Sequence, residues 1–400
     1  MTEQDWLTQE CFMMFPNNYT WSSGVLNILS SALWGGGEIG EIYKVCSALK
    51  DKEGDNAAWF AEWNAMGERV AALGEKAESV GHLETASAAF MRAAHYIQVG
   101  ERQRQPRTPE TQQAYARSVA LFKRGVPYVP FYAIEPVEVP FENGKSLPAY
   151  FVKQKGERPG ARWPTVVFFD GHDNTKEMCF FKGTLELVKR GMACLVIDGP
   201  GNGESIRFRE MPMRFDANVA GTAAVDYLEG RSDVDKERIG VLGVSLGGYF
   251  APRCAAFEKR YKACVAWGAQ WDAQATWKRR IAKQFKTAIV VPPEHIKWAW
   301  GADTFDGVLE KMEKVNLRDV AKMIECPVLI VHGEADAQQP MEVAYKLFEE
   351  IGSKDKTLRV FTREEGGAQH CSRDNHTIGT ACIGDWLVDR LIRGVKGQAG

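Results

Sequence analysis

Residues 238–257 read Arg-Ile-Gly-Val-Leu-Gly-Val-Ser-Leu-Gly-Gly-Tyr-Phe-Ala-Pro-Arg-Cys-Ala-Ala-Phe, and Gly243-Val244-Ser245-Leu246-Gly247 within them spells G-x-S-x-G. An apolar run (Ile239 to Leu242) leads into the motif and a helical pattern (Phe250 to Phe257) leads out of it. That order predicts a strand, a very tight turn and a helix. So sharp a turn puts the serine in a strained backbone conformation. Glycines two residues to either side remove Cβ atoms that would collide, and the hydroxyl is lifted clear of the sheet end. The following helix N-terminus favours negative charge nearby. The bare pattern arises by chance in a chain with 38 glycines. The strand-turn-helix context is what makes Ser245 a candidate nucleophile.

Outward from this motif, short apolar runs alternate with helical stretches. Candidate strands are 165–170 (TVVFFD), 193–198 (ACLVID), 238–244 (RIGVLGV), 263–268 (ACVAWG), 326–332 (CPVLIVH) and 357–362 (TLRVFT). Continuous apolar runs mark strands buried on both faces, hence a mostly parallel sheet covered by helices. Asn143-Gly144 predicts a hairpin ahead of them. The stretch 270–325 is too long for one crossover helix and carries Trp271, Trp277, Trp298 and Trp300. It reads as a helical insert lying as a lid over one end of the sheet.

The N-terminal third differs. Trp59, Trp63, Met66, Val70 and Leu73 recur at helical spacing, and Ala86, Phe90, Ala93, Ala94 and Ile97 mark a second helix over about 83–98. Thr108-Pro109-Glu110 opens a third, with Thr as N-cap and Pro at the first helical position. Four prolines between 127 and 140 end this texture. The expected organisation is a helical domain over 1–126, the first part of an α/β core over 127–269, the insert over 270–325 and the rest of the core over 326–400.

Composition excludes several classes. The 400 residues are 45% hydrophobic and carry 50 Lys plus Arg against 52 Asp plus Glu, so a large core is affordable and disorder is out. The near-neutral charge argues against a nucleic-acid or anionic-membrane partner. No apolar stretch approaches the length of a membrane span. Nine cysteines without a C-x-x-C pair, and an acidic start (MTEQDWLTQE) without a secretory pattern, predict reduced thiols in a cytoplasmic protein.

A serine hydroxyl needs a base. Of seven histidines, His370 and His376 follow the last predicted strand. His370 is favoured because Gly366-Gly367 lets its loop fold back over the sheet. The base needs an acid; Asp336 in Val331-His332-Gly333-Glu334-Ala335-Asp336 is preferred over Glu334, which sits closer to the strand end. Oxyanion donors are expected at Leu246 N–H and in the loop after TVVFFD, where Gly171 allows close approach and His172 supplies its backbone N–H. Two further patterns carry little. Asp198-Gly-Pro-Gly-Asn-Gly-Glu-Ser205 lacks the lysine and spacing of a phosphate loop. His370-Cys371-x4-His376 lacks a second metal-ligand pair. No metal and no other cofactor is expected.

With these residues in hand, the chain resembles the α/β-hydrolases that carry an N-terminal helical domain, the group of dihydropseudooxynicotine hydrolase and the fungal polyketide chain-shortening hydrolases. GHDNTKE (171–177), DGPGNGES (198–205), GVSLGGYFAPRCAAFEKR (243–260), VHGEAD (331–336) and EGGAQHC (365–371) carry the likeness. It implies that Ser245, Asp336 and His370 are nucleophile, acid and base, and that the chain forms a homodimer. One departure stands out: the oxyanion loop reads Asp170-Gly171-His172, where the group has a second glycine and an aliphatic residue. The resemblance also implies an additional acid near the substrate in members that cleave C–C bonds; Asp272 and Glu294 are candidates.

The function expected is hydrolysis of an ester-type bond, or of a C–C bond beside a ketone, in a hydrophobic or aromatic small molecule. The four insert tryptophans would line its pocket. Acyl transfer by the same residues and a non-catalytic binding role on the same fold remain alternatives.

Overall fold

A computed structural model of the chain describes residues 13–156, 162–172, 174–285 and 288–394. Cys11, Asp173 and the acidic first ten residues lie outside the described residues.

Among the described residues, eight strands form one sheet in the order β1-β2-β4-β3-β5-β6-β7-β8. They are β1 Tyr132–Pro140, β2 Ser146–Gln154, β3 Trp163–Phe169, β4 Ala193–Ile197, β5 Val234–Val244, β6 Ala263–Trp267, β7 Val328–Gly333 and β8 Lys356–Phe361. β2 runs antiparallel to β4, and β4 through β8 with β3 are joined by parallel pairings. Every residue of β3, β4, β6 and β7 is buried, whereas the edge strand β8 is largely half-exposed. This is the burial pattern that continuous apolar runs predict. The hairpin expected at Asn143-Gly144 joins β1 to β2, with Asn143 at φ 56° and a hydrogen bond from Phe141 N–H to the Lys145 carbonyl.

The N-terminal helices follow the sequence pattern closely. Helices Asn56–Ser79, Leu83–Gln103 and Pro109–Gly125 are present, and Thr108 caps the third through the Thr111 N–H. Leu73 is a correction: it is 55% exposed, and Gly74 is buried in its place. A repeat of 3.5 residues drifts about 20° per heptad against the helix's 3.6. Two heptads beyond Trp59, that drift of about 40° carries Leu73 off the buried face, which runs through Phe60, Gly67, Ala71 and Gly74. Gly74 also suits the spot, because a Cβ there would lie 2.7 Å from the Phe90 ring.

The chain divides into two compact units whose limits differ from the expected segments. The first runs to Ile134 and also holds Phe180–Lys182 and Ala288–Ile296; the second holds the other described residues from Glu135 on. The reason that part of the insert belongs to the first unit is local. Ile289, Val291 and Ile296 are buried, and the carbonyls of Ile289 and Val290 accept hydrogen bonds from Thr20 Oγ1 (2.8 Å) and Gln103 Nε2 (3.0 Å). The rest of the insert includes helices Ala273–Ala282 and Phe305–Met312 within the second unit. Among the described residues, no helix is long and apolar enough to cross a membrane.

Candidate active site

β5 ends at Val244 and the helix Gly247–Phe257 starts three residues later. Ser245, between them, has φ 59°, a conformation that L side chains rarely adopt. Its N–H donates to the Trp267 carbonyl on β6 (2.8 Å), and its carbonyl accepts from the Gly248 N–H (2.8 Å). The glycines are sterically required. A Cβ on Gly247 would sit 2.6 Å from the Phe169 carbonyl oxygen; one on Gly243 or Gly248 would overlap the carbonyls of Gly247 and Gly268.

His370 and Asp336 arrive from the loops after β8 and β7. His370 Nε2 lies 2.8 Å from Ser245 Oγ, and His370 Nδ1 lies 2.7 Å from Asp336 Oδ2. The other Asp336 oxygen accepts the backbone N–H groups of Gln338 (2.8 Å) and Gln339 (2.9 Å). Burial pushes the Asp336 carboxyl up, but His370 and the hydrogen bonds outweigh it and hold it below the ordinary carboxylate value. Burial pulls His370 down, against the raising effect of Asp336. The resting pair is therefore a carboxylate beside a neutral imidazole, with Nδ1–H donating to the carboxylate and a bare Nε2 toward the serine.

The alternatives read from the sequence are used elsewhere. Glu334 is exposed and accepts the Arg363 N–H (2.7 Å). His376 begins the last helix, with its ring stacked on Trp267 at 4.8 Å. Two residues that sequence reasoning missed shape the site. Asp374 gathers the N–H groups of Gly367 (2.8 Å), Ala368 (3.0 Å) and Gln369 (2.9 Å), folding the loop that carries His370. Asn202 donates to the Gly171 carbonyl (2.6 Å) and to the Asn174 carbonyl (3.2 Å). Nothing in the local pattern marks Asp374. Asn202 lies in the glycine-rich loop, which binds the protein's own backbone.

That same loop holds a buried charge cluster. Lys176 Nζ lies 3.0 Å from Asp198, 2.6 Å from Glu204 and 2.8 Å from Glu177. Asp198 also accepts the backbone N–H groups of Lys176 (2.8 Å) and Glu204 (3.0 Å). The cluster ties the segment after Gly171 to the loop after β4.

Gly171 packs directly on the serine: a Cβ there would lie 2.9 Å from Ser245 Cβ and 3.2 Å from the Leu246 nitrogen. Its own N–H is taken by the Asp170 carboxylate (2.6 Å). Gly171 thus provides proximity rather than a donor, which leaves the expected roles to the N–H groups of Leu246 and His172.

The insert side chains separate into different situations. Trp300 is fully buried, so it presents no face to a ligand; its indole Nε1–H donates to His172 Nε2 at 3.0 Å. Trp277, also buried, meets the His172 ring edge-on at 5.7 Å. Trp298 is half-buried with Arg207 over its ring (5.3 Å), and Trp271 lies under Lys346 (5.9 Å). Asp272 caps helix Ala273–Ala282 and pairs with Arg318, a structural assignment for that carboxylate. Glu294 is exposed within the segment that belongs to the first unit. No group of His, Cys, Asp or Glu among the described residues has the arrangement of a metal site.

A serine on a strained strand-to-helix turn at the centre of a mostly parallel sheet defines an α/β-hydrolase. The prolyl oligopeptidase family matches residues 180–391, and the FrsA-like esterase family matches residues 53–283. The chain belongs to this family of α/β-hydrolases and is a hydrolase. Hydrolase acrC of Aspergillus aculeatus is 28% identical to it over 94% of this chain and 95% of its own length. For 20-hydroxy-prefusarin hydrolase FUS2 of Gibberella moniliformis the values are 29%, 86% and 89%. For 2,6-dihydropseudooxynicotine hydrolase of Paenarthrobacter nicotinovorans they are 28%, 84% and 86%. The crystal structure of 2,6-dihydroxy-pseudo-oxynicotine hydrolase superposes with a TM-score of 0.77 at 26% identity, covering 93% of this chain and 98% of that one. The family resemblance read from the motifs is borne out.

Proposed function

We propose that this hydrolase works by covalent serine catalysis on a hydrophobic or aromatic small-molecule carbonyl compound. The observation that carries the reading is the continuous hydrogen-bonded series from Ser245 Oγ through His370 to Asp336. Ser245 Oγ attacks the carbonyl carbon while its proton passes to His370 Nε2. Asp336 keeps the imidazole in the required tautomer and stabilises the imidazolium. The oxyanion is stabilised by the N–H groups of Leu246 and His172. Collapse breaks the bond to the leaving group, which takes the proton from His370. Water, deprotonated by the same histidine, then releases the acid and frees Ser245.

The bond broken is an ester-type C–O bond or a C–C bond beside a ketone. The second needs a leaving carbanion spread over a ketone or aromatic ring, since His370 must deliver its proton to carbon. Likeness to hydrolases named for 2,6-dihydropseudooxynicotine and 20-hydroxy-prefusarin supports a small organic substrate. The described cysteines are free thiols, in keeping with a reducing, cytoplasmic setting; a homodimer is the accompanying expectation, to be checked by sedimentation.

The test is a product screen on aryl esters and β-diketones with wild type and Ser245→Ala, alongside labelling by a fluorophosphonate. Labelling at Ser245 and loss of turnover in the variant are expected. An unlabelled Ser245 with undiminished turnover in Ser245→Ala would overturn the reading, and acyl transfer would show as an acceptor-dependent product.

A further inference from the structure

We propose that the Trp300–His172 hydrogen bond holds the oxyanion loop in register with Ser245, making Trp300 and the His172 imidazole positioning residues. The proposal rests on the reading of Ser245 as nucleophile and of the His172 N–H as an oxyanion donor.

An indole N–H can only donate. With Trp300 Nε1–H aimed at His172 Nε2 at 3.0 Å, that nitrogen must be the bare one, so the imidazole is neutral with its proton on Nδ1. The state is secure: burial, with the Arg280 charge nearby, pulls His172 down to about 3. Protonation would turn the acceptor into a donor and break the bond, and this does not happen in the ordinary assay range.

The backbone of this loop is gripped at Gly171 on both sides, by the Asp170 carboxylate on its N–H (2.6 Å) and by Asn202 on its carbonyl (2.6 Å). The next residue carries the proposed donor, and its side chain is held by Trp300. The grip is linked to the acid loop. Trp277 packs edge-on to the His172 ring at 5.7 Å, and Arg280 stacks over Trp277 at 4.7 Å. Arg280 donates to the Gln338 carbonyl (3.3 Å), and the Gln338 N–H donates to Asp336 (2.8 Å). Helix Ala273–Ala282 therefore braces the oxyanion loop against the loop that orients the base. A donor displaced by about 1 Å costs on the order of a hundredfold in rate.

The test is a double-mutant cycle with Trp300→Phe and His172→Phe on an aryl acetate, reading kcat, KM, melting temperature and the rate of fluorophosphonate labelling. Each single change should lower kcat about ten- to a hundredfold with KM held within about threefold. The double variant should be no slower than the slower single one. His172→Gln, whose amide oxygen still accepts from the indole, should recover to within about fivefold of wild type, and should recover nothing in the Trp300→Phe background. Multiplying losses in the double variant, losses confined to KM, or a wild-type kcat in His172→Phe would overturn the proposal. If Trp300→Phe does not fold, the contrast between His172→Phe and His172→Gln decides it. Wild type labelled at Ser245 together with a non-coupled cycle removes this proposal alone. Wild type that is not labelled removes the serine reading and this proposal with it.

Discussion

Replacing Asp336 by Asn isolates what the proposed acid does, because the surroundings dictate how the amide sits. One oxygen of Asp336 accepts two backbone N–H groups, from Gln338 and Gln339, and the other faces His370 Nδ1 at 2.7 Å. The Asn side chain has one oxygen and one NH2. Turning the NH2 toward the backbone would leave two buried N–H groups without an acceptor, at about 1–3 kcal/mol each. The oxygen therefore stays on the backbone and the NH2 faces His370. Nδ1 must then accept, which moves the proton to Nε2 and points it at Ser245. The histidine can no longer take the serine proton. The expected loss in kcat is about 10³- to 10⁴-fold, or roughly 4–5.5 kcal/mol of transition-state stabilisation. The assay is a pH–rate profile on an aryl ester. Wild type should lose activity in acid with a midpoint below the ordinary histidine value, as burial dictates. The variant should gain activity at alkaline pH, where the solvent base replaces the imidazole. Turnover within tenfold of wild type at neutral pH would refute the tautomer argument and remove Asp336 from its role.

Other outcomes follow from the same geometry. His370→Ala should lower turnover at least about a thousandfold with the fold intact, whereas His376→Ala, whose ring stacks on Trp267, should mainly lower the melting temperature; the opposite pattern would reassign the base. Gly248→Ala places a Cβ inside the Gly268 carbonyl and should sharply reduce soluble yield or melting temperature, as read by circular dichroism. His95, buried in the N-terminal unit and hydrogen-bonded to the Gly36 carbonyl (2.7 Å), is lowered to about 4, by burial first. Its depressed value means stability that is fully present above the unfolded value near 6.5 and is lost as pH falls toward about 4, by about 3 kcal/mol. His95→Gln should flatten the melting temperature against pH over that window, and an unchanged slope would refute the assignment.

Much of the fold is legible because its signals are local. Apolar runs buried on both faces predict the central strands, and the observed limits of β4 and β6 differ from the predicted ones by a residue at the end. Thr108-Pro109 marks a helix start because capping involves only neighbours in the chain. Leu73 misleads because a heptad count ignores helical drift, and the partner at that level, the Phe90 ring, leaves room only for Gly74. The insert tryptophans look alike as letters and differ in the structure. Trp300 is a buried donor, while Trp271 lies under Lys346.

The sequence by itself determined the turn at Ser245, since G-x-S-x-G between an apolar run and a helix start is a matter of sterics over a handful of residues. It also determined which loops hold the proposed acid and base, because from β5 to β8 the order in the chain is the order in the sheet. Only the tertiary structure decided which nitrogen of His172 is bare, that Asn202 and Asp374 shape the loops around Ser245, and that Asp272 is a cap rather than a free acid. Those facts depend on hydrogen bonds between residues far apart in the chain, such as Trp300 and His172, Asn202 and Gly171, and Arg318 and Asp272. A hydrogen bond has direction and a reach of about 3 Å, and no spacing in the sequence encodes which distant partner comes within it.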